Sequence, residues 1–553
     1  MSNAPGGASP THAGQLVVDC LAAQGVSRIF CIPGESYLAV LDGLYHAHIE
    51  TVVARHEGGA AMMAEAHGKL TGEPGIAFVT RGPGATNAAS GVHVAFQDST
   101  PMILFIGQVA TDQRDREAFQ EVDYTKMYAP LAKWVAQVER ADRLPEYISR
   151  AFHMAKSGRP GPVVLSLPED VLSAAAPSAA VPLAKAQVAR QAPSQDAVDR
   201  LEDELAKAER PLVILGGGAW SEQAHRDAAR MAERLQVPVA TSFRCQDYMD
   251  NAHPNYVGDV GIAINPALAD LIKASDLIVA LGPRLGEMTT SGYTLLAPPK
   301  PAQRLIHVHP DPDELGRVYA PQIAICARPS AVLEELADGA KRDARPDRTR
   351  FIEQARRSYE DWQQPIKTPG DLKFEDVIFY LNENLPDDAI LTNGAGNYAG
   401  WLHRYYRFRS FRTQLAPTSG SMGYGLPAAI AAKLDLPERE VVCLAGDGCF
   451  QMVAQEFGTA CEYGANVLII IANNRQYGTI RMHQQRTYPG RPSGTALQNP
   501  DFAALARSYG GYGATLTKSA DIKEVLDAAR AAGVPAIIDA KVDPTALTPS
   551  SVG

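Results

Sequence analysis

The sequence predicts an α/β protein of three domains, each a parallel sheet flanked by helices. Three observations carry that expectation. The chain has 553 residues, and single hydrophobic cores stop growing near ~250–300 residues. Short apolar runs alternate with helical stretches, the pattern of strands buried on both faces and joined by helices. A stretch with three prolines at 174–196 and a charged stretch at 340–350 divide this alternation into three segments.

An N-terminal domain is expected over 1–175. It starts with MSNAPGGASPTH, which has neither a basic n-region nor an apolar h-region. A frayed terminus is expected there, not a secretory signal. Ile76–Thr80, Met102–Gly107 and Val163–Leu167 read as strands, and the Ala-rich Ala60–Leu70 as helix. Residues 176–196 form a linker. A central domain over 197–345 opens with a helix, Asp196–Ala208, and continues with strands at 211–218, Leu277–Leu281 and Arg304–His309. The stretch AKRDARPDRTR at 340–350 reads as a solvated connection, part of which can continue a helix, and 346–369 reads as a second linker. A C-terminal domain over 370–553 carries strands at 388–392, 440–445, 466–472 and 535–541. The outer domains look architecturally alike, without a close sequence repeat.

Composition narrows the function. Fifty-two Lys and Arg against 62 Asp and Glu give a net charge of −10, which argues against a nucleic-acid protein held by a broad phosphate-binding surface. Hydrophobic residues at 46% and charged residues at 21% rule out disorder as a description of the whole chain. The seven cysteines are odd in number and show no Cys-x-x-Cys pair, so reduced thiols are expected, not a disulfide framework or a zinc site. No apolar run reaches the ~18–20 residues of a membrane span. The expectation is a soluble cytoplasmic protein. Forty-six Gly and 39 Pro point either to many turns or to ligand sites built from backbone.

The strongest local pattern lies in the C-terminal segment. The strand candidate Val441–Ala445 ends in Gly446-Asp447-Gly448, and Asn473-Asn474 follows a second apolar strand after 24 intervening residues. Consecutive strands joined by one helix can lie side by side, so Asp447 and Asn474 are expected at neighbouring strand ends, where open α/β sheets bind ligands. A carboxylate and an amide oxygen suit a hard cation such as Mg²⁺, which also holds phosphates. The glycines let backbone N–H groups approach a diphosphate, beside a helix N-terminus.

GDGCFQMVAQEF followed by IIIANN resembles the cofactor signature of thiamine-diphosphate-dependent enzymes. The resemblance spans nearly the whole chain and is nearest to acetolactate synthase large subunits and related 2-oxo acid decarboxylases and lyases. It implies the thiamine-diphosphate-binding fold, with pyrimidine, central and diphosphate domains in that order. It implies that Asp447, Asn474 and the Gln476 carbonyl hold Mg²⁺. Gly396, Asn397, Gly446, Gly448 and Cys449 would meet the diphosphate, with Tyr477 and Gly478 beside them.

The segment RHEGGAAMMAEA is similar to the family's glutamate segment. On local sequence alone, Glu57 is a first-turn acid favoured by the helix dipole. The resemblance makes it the acid that bonds the aminopyrimidine and drives proton transfer through the cofactor. TSGSMGYGLPAA at 418–429 resembles the segment that bends the cofactor over Met422, with Gly420 gripping the pyrimidine. TRGPGATNAASGV, at 80–92, contains Thr80, Gly84 and Asn87; AFQDSTPMILFIGQV, at 95–109, places Phe96 and Gln97 near the cofactor. Pro33 lies in the early loop. Gln120 matches a position facing substrate, and Lys133 an active-site-edge lysine. In these relatives the two halves of the site come from different subunits, which implies a homodimer or homotetramer.

The implied reaction is decarboxylation of a 2-oxo acid. Either carboligation to an aldehyde or second oxo acid, or release of an aldehyde, follows. Glu35 stands where acetolactate synthases carry glycine, as in decarboxylases with an acidic residue there, and could shuttle a proton. His483 stands where acetolactate synthases place a substrate-selecting tryptophan, so it could bind a polar substrate. FAD stays open: Arg284 and Asp311 match a flavin signature whose first acid is replaced by His309. The alternatives are an FAD-dependent oxidase of the same fold and a non-catalytic cofactor-binding relative.

Overall fold

The computed structural model describes residues 12–339 and 346–549. The expected frayed start at 1–11 and the 340–345 part of the charged connection lie outside them. The chain divides into two compact units, separated between Ala189 and Arg190.

The first unit is one six-stranded sheet: β1 Arg28–Cys31, β2 Glu50–Val53, β3 Gly75–Val79, β4 Met102–Gln108, β5 Trp134–Gln137 and β6 Pro162–Pro168. All its pairs are parallel, in the order β2-β1-β3-β4-β6-β5. β3, β4 and β6 are buried along their whole length, which explains their unbroken apolar sequences. Phe78 and Phe105 stack at 4.6 Å between β3 and β4. The expected helix runs Glu57–Thr71 and packs on the helix Pro83–Asp98. Beyond the sheet, residues 176–189 have no regular structure, yet Gln24 pins them through the carbonyls of Leu183 and Ala184 and the N–H of Ala186.

The second unit holds two further parallel sheets. One contains β7 Pro211–Leu215, β8 Val239–Ser242, β9 Tyr256–Val260, β10 Leu277–Leu281, β11 Arg304–Val308 and β12 Ile323–Ile325. Its order, β12-β11-β10-β7-β8-β9, is that of a doubly wound sheet with dinucleotide-binding topology. The other contains β13 Ile390–Asn393, β14 Gln414–Leu415, β15 Val441–Gly446, β16 Leu468–Asn473, β17 Tyr512–Leu516 and β18 Ala536–Lys541. Its order, β14-β13-β15-β16-β18-β17, repeats the topology of the first sheet strand for strand. The architectural likeness of the outer domains is therefore one of connectivity.

The charged connection and the second linker differ from a purely solvated connection where they are described. A helix, Thr349–Trp362, occupies much of 346–369. Arg348 is buried at 1% exposure and donates to the carbonyls of Ala208 and Leu235 at 3.1 and 2.9 Å, and also to Leu205. It is not solvated because the ends of the helices Gln195–Lys207 and Glu222–Leu235 leave carbonyls without intrahelical partners, and a guanidinium satisfies them.

Candidate active site

In the third sheet the chain leaves β13 toward β14 on one side, and leaves β15 toward β16 on the other. Ligands of open α/β sheets bind at such a switch point. A cavity of ≈ 260 Å³ lies there. Gly396, Asn397, Gly420, Met422, Gly446, Asp447, Gly448, Cys449, Asn474, Gln476, Tyr477 and Gly478 all line it. The structure thus brings together the whole expected diphosphate half.

The neighbouring strand ends are in register, with Gly446 opposite Ala472, which brings Asp447 beside the Asn473-Asn474 turn. Asp447 is 2% exposed. Its carboxylate accepts hydrogen bonds from the N–H groups of Gly448 (2.8 Å) and Arg475 (2.7 Å) and from the Asn499 amide (2.7 Å). Burial nevertheless pushes its carboxyl above the ordinary value, as expected when desolvation outweighs the donors. The Asn474 amide oxygen accepts from the Gln476 N–H at 3.2 Å. One carboxylate, one amide oxygen and one main-chain carbonyl make an oxygen set that fits Mg²⁺. Among the described residues no group of three or more His, Cys, Asp or Glu could hold a metal; the expected set contains one such residue, Asp447.

The cradle is backbone held by side chains that sequence reasoning missed. The Tyr398 hydroxyl accepts from the Gly394 N–H at 3.0 Å and donates to Cys449 Sγ at 3.4 Å; that sulfur accepts from the Gly423 N–H at 3.1 Å. The Cys449 side chain is thereby committed to the protein, which leaves its main chain for a ligand. A Cβ on Gly448 would stand 2.6 Å from the Tyr477 ring, whereas one on Gly420 would meet open space. The first glycine is required by packing, the second by its φ of +66°. Asn397 is held by Thr479 Oγ1 at 3.0 Å and donates to Met482 Sδ at 3.5 Å. His483, the next residue, is exposed on the helix Gly478–Thr487 and does not line the cavity.

In the first unit, Glu57 opens its helix and accepts from the Asn87 amide at 2.9 Å. A Cβ on Gly84 would stand 3.3 Å from the Glu57 carboxylate and 2.9 Å from Thr80. Glu57, Thr80, Gly84 and Asn87 therefore form one cluster. Pro33 is exposed after β1, and Gln97 is half-buried on the helix Pro83–Asp98. Glu35 begins a one-turn helix, and its carboxylate accepts from Arg81 at 3.1 Å. Arg81, 8% exposed, also donates to Glu169 at 2.9 Å and to the Phe119 carbonyl at 3.2 Å. Gln120 has a φ of +65° and packs where a Cβ on Gly82 would stand, at 2.6 Å. Arg81 thus connects the Glu35 and Gln120 segments, which the sequence alone did not reveal. Lys133 is a correction. Its ammonium donates to the Met154 and Ser157 carbonyls, so it caps the helix Leu144–Lys156, because a helix C-terminus leaves carbonyls for a cation. Phe96 carries the Arg159 guanidinium 5.0 Å over its ring.

Residues 11–127 match the N-terminal TPP binding domain of thiamine pyrophosphate enzymes, residues 198–336 their central domain and residues 394–540 their C-terminal TPP binding domain. The chain is 32% identical to the probable acetolactate synthase large subunit of Methanocaldococcus jannaschii, over 97% of this chain and 92% of that protein. The chain belongs to the acetolactate-synthase-like thiamine pyrophosphate enzymes. It is also 32% identical to the acetolactate synthase isozyme 3 large subunit of Escherichia coli, over 93% of this chain and 91% of that one. A third relative is the acetolactate synthase large subunit of Parasynechococcus marenigrum, 32% identical over 95% of this chain and 86% of that protein.

Within this thiamine pyrophosphate enzyme, the residues that raised a flavin have partners inside the central domain. Arg284 lies 3.5 Å from Glu314. His309 is 2% exposed, and its Nδ1 accepts from the Asp311 N–H at 3.1 Å. None of the seven cysteines forms a disulfide, and no helix among the described residues is long and apolar enough to cross a membrane.

Proposed function

We propose that this chain binds thiamine diphosphate with Mg²⁺, decarboxylates a 2-oxo acid and joins the remaining fragment to an aldehyde or second oxo acid, with aldehyde release as the competing outcome. The observation that carries the reading is a cavity at the β13/β15 switch point, lined by every expected diphosphate residue and by the buried Asp447. The bound cofactor supplies a nucleophilic carbon and an electron sink for decarboxylation. Asp447, Asn474 and the Gln476 carbonyl hold the cation. The main chain of Gly396, Gly446, Gly448 and Cys449 receives the diphosphate, with Tyr477 and Gly478 closing that side. Met422 and Gly420 shape the pyrimidine end.

Glu57 holds the proton that moves during activation, and Asn87, donating to its Oε2, fixes the direction in which the carboxyl points. Thr80, Gly84 and Asn87 shape its surroundings, Gln97 is assigned a place near the cofactor, and Pro33 lies on the loop before Glu35. Glu35 and Gln120 face the substrate side, where Glu35 can return a proton. His483, exposed and outside that cavity, is assigned to a polar acceptor from its sequence position alone. The relatives named for acetolactate synthesis favour carboligation. A homodimer or homotetramer in the cytoplasm is the assembly proposed. No step here uses FAD.

The test is incubation with thiamine diphosphate, Mg²⁺ and a panel of 2-oxo acids, with and without aldehydes. Carbon dioxide release and a hydroxy-ketone product are expected. Glu57→Gln is expected to abolish turnover while leaving most cofactor binding. Full activity in Glu57→Gln would sink the proton-transfer role, and oxygen consumption with a 2-oxo acid would favour the oxidase reading.

A further inference from the structure

The sheet of β7–β12 reaches the cofactor cradle of the β13–β18 sheet through a segment just after β8. Arg244 lies there, 4% exposed, with a φ of +62°. The left-handed region disfavours a side chain, and burying a guanidinium adds a desolvation penalty. Its Nη2 donates to the Gly394 carbonyl at 2.8 Å, and its Nη1 donates to the Pro417 carbonyl. Gly394 is the root of the loop running to Asn397. Pro417 is the root of the loop running to Met422. One side chain therefore ties together the bases of both loops that line the cavity.

Its neighbours reinforce the same junction. The Gln246 N–H donates to Gln414 Oε1 at 2.8 Å. The Asp247 carboxylate accepts from the N–H groups of Thr413 and Gln414 at 3.1 and 3.3 Å. These bonds hold β14, which pairs with β13 through two residues only and leads directly into Pro417. So short an edge strand is weakly fixed by its own ladder.

We propose that Arg244 is a positioning residue for the diphosphate cradle. It sets the spacing between the Gly394–Asn397 and Pro417–Met422 loops, so the central domain contributes to cofactor affinity through those loops. This rests on the reading of the cavity as the thiamine diphosphate site.

Binding of thiamine diphosphate with Mg²⁺ is measured by calorimetry on the full chain, its Arg244→Met variant and its Arg244→Lys variant. The Tm of each is read with and without the cofactor. Arg244→Met is expected to raise the Kd by about tenfold, as loss of two charge-assisted hydrogen bonds at the loop roots implies. Arg244→Lys keeps the charge but not the fork, and is expected to raise the Kd by about threefold. The Tm gain on adding cofactor shrinks in the same order. A Kd equal to wild type in both variants, with only the cofactor-free Tm lowered, makes Arg244 structural and overturns the proposal. Should Arg244→Met fail to fold, a wild-type Kd in Arg244→Lys overturns it. A wild-type chain that binds no thiamine diphosphate overturns the cofactor reading instead, and the proposal with it.

Discussion

The Asn499 amide donates to the Asp447 carboxylate at 2.7 Å and to the Asn473 side-chain oxygen at 2.8 Å. The Gln451 amide in turn donates to Asn499 Oδ1 at 2.8 Å. A residue 52 positions along the chain thereby orients the one carboxylate of the proposed cation site, leaving less freedom for that group to turn away from its neighbours.

Asn499→Ala should cost about 1–2 kcal/mol of stability, because it leaves a buried acceptor short of one donor. It should also raise the Mg²⁺ concentration needed to saturate cofactor binding. Asn499→Asp, which sets a like charge against Asp447, should do more. Thermal unfolding and a Mg²⁺ titration of cofactor binding check both; an unchanged Mg²⁺ requirement in Asn499→Ala would show that the amide is only a packing group.

Glu35 and Arg81 form a pair of unequal partners. The Glu35 side chain is 66% exposed and the Arg81 side chain 9%. An ion pair with one solvated partner is worth about 0–1 kcal/mol, so Glu35→Gln should barely change Tm. Its product ratio should move from aldehyde toward carboligation if the carboxyl returns a proton. Arg81→Met also abandons Glu169 and the Phe119 carbonyl, and should lose about 2–3 kcal/mol. An unchanged product ratio in Glu35→Gln would reject the proton-return role.

Asp259, at the end of β9, receives the Gln246 amide at 3.4 Å. Burial pushes its carboxyl from an ordinary 3.8 up to about 7. The folded protein disfavours the ionised form, so stability from this group is fully present below about pH 3.8, declines as the pH rises and is lost above about 7. Asp259→Asn, uncharged throughout, should be more stable than wild type at pH 8. Its advantage should close toward pH 4, by roughly 2 kcal/mol after allowance for residual exposure. Urea unfolding at the two pH values is the check; a gap that does not change with pH would place the titration elsewhere.

Legibility followed burial. The runs expected at Ile76–Thr80, Leu277–Leu281 and 466–472 correspond to β3, β10 and β16, strands buried along their length. Burial on both faces demands an unbroken apolar sequence, which is visible without a fold. β5 and β17 are half-exposed edge strands and β14 has two residues; none carries a pattern distinct from loop sequence. A charged residue was misread for a related reason. Arg348 looks solvated in sequence, but helix-end carbonyls distant in the chain satisfy it.

The sequence by itself determined the three α/β domains, the family, and the short motifs that supply Asp447, Asn474, Glu57 and the glycines. These are local matters: strand burial, turn chemistry and spacing along one β–α–β unit set them. Only the tertiary structure decided what holds those groups in place. Asn499 on Asp447, Asn87 on Glu57, Arg81 between Glu35 and Phe119, and Arg244 on the Gly394 and Pro417 carbonyls each join residues far apart in the chain. A single hydrogen bond between distant residues imposes no periodicity on the sequence. It acquires a partner, and hence a meaning, only when the sheets bring the two ends within about 3 Å.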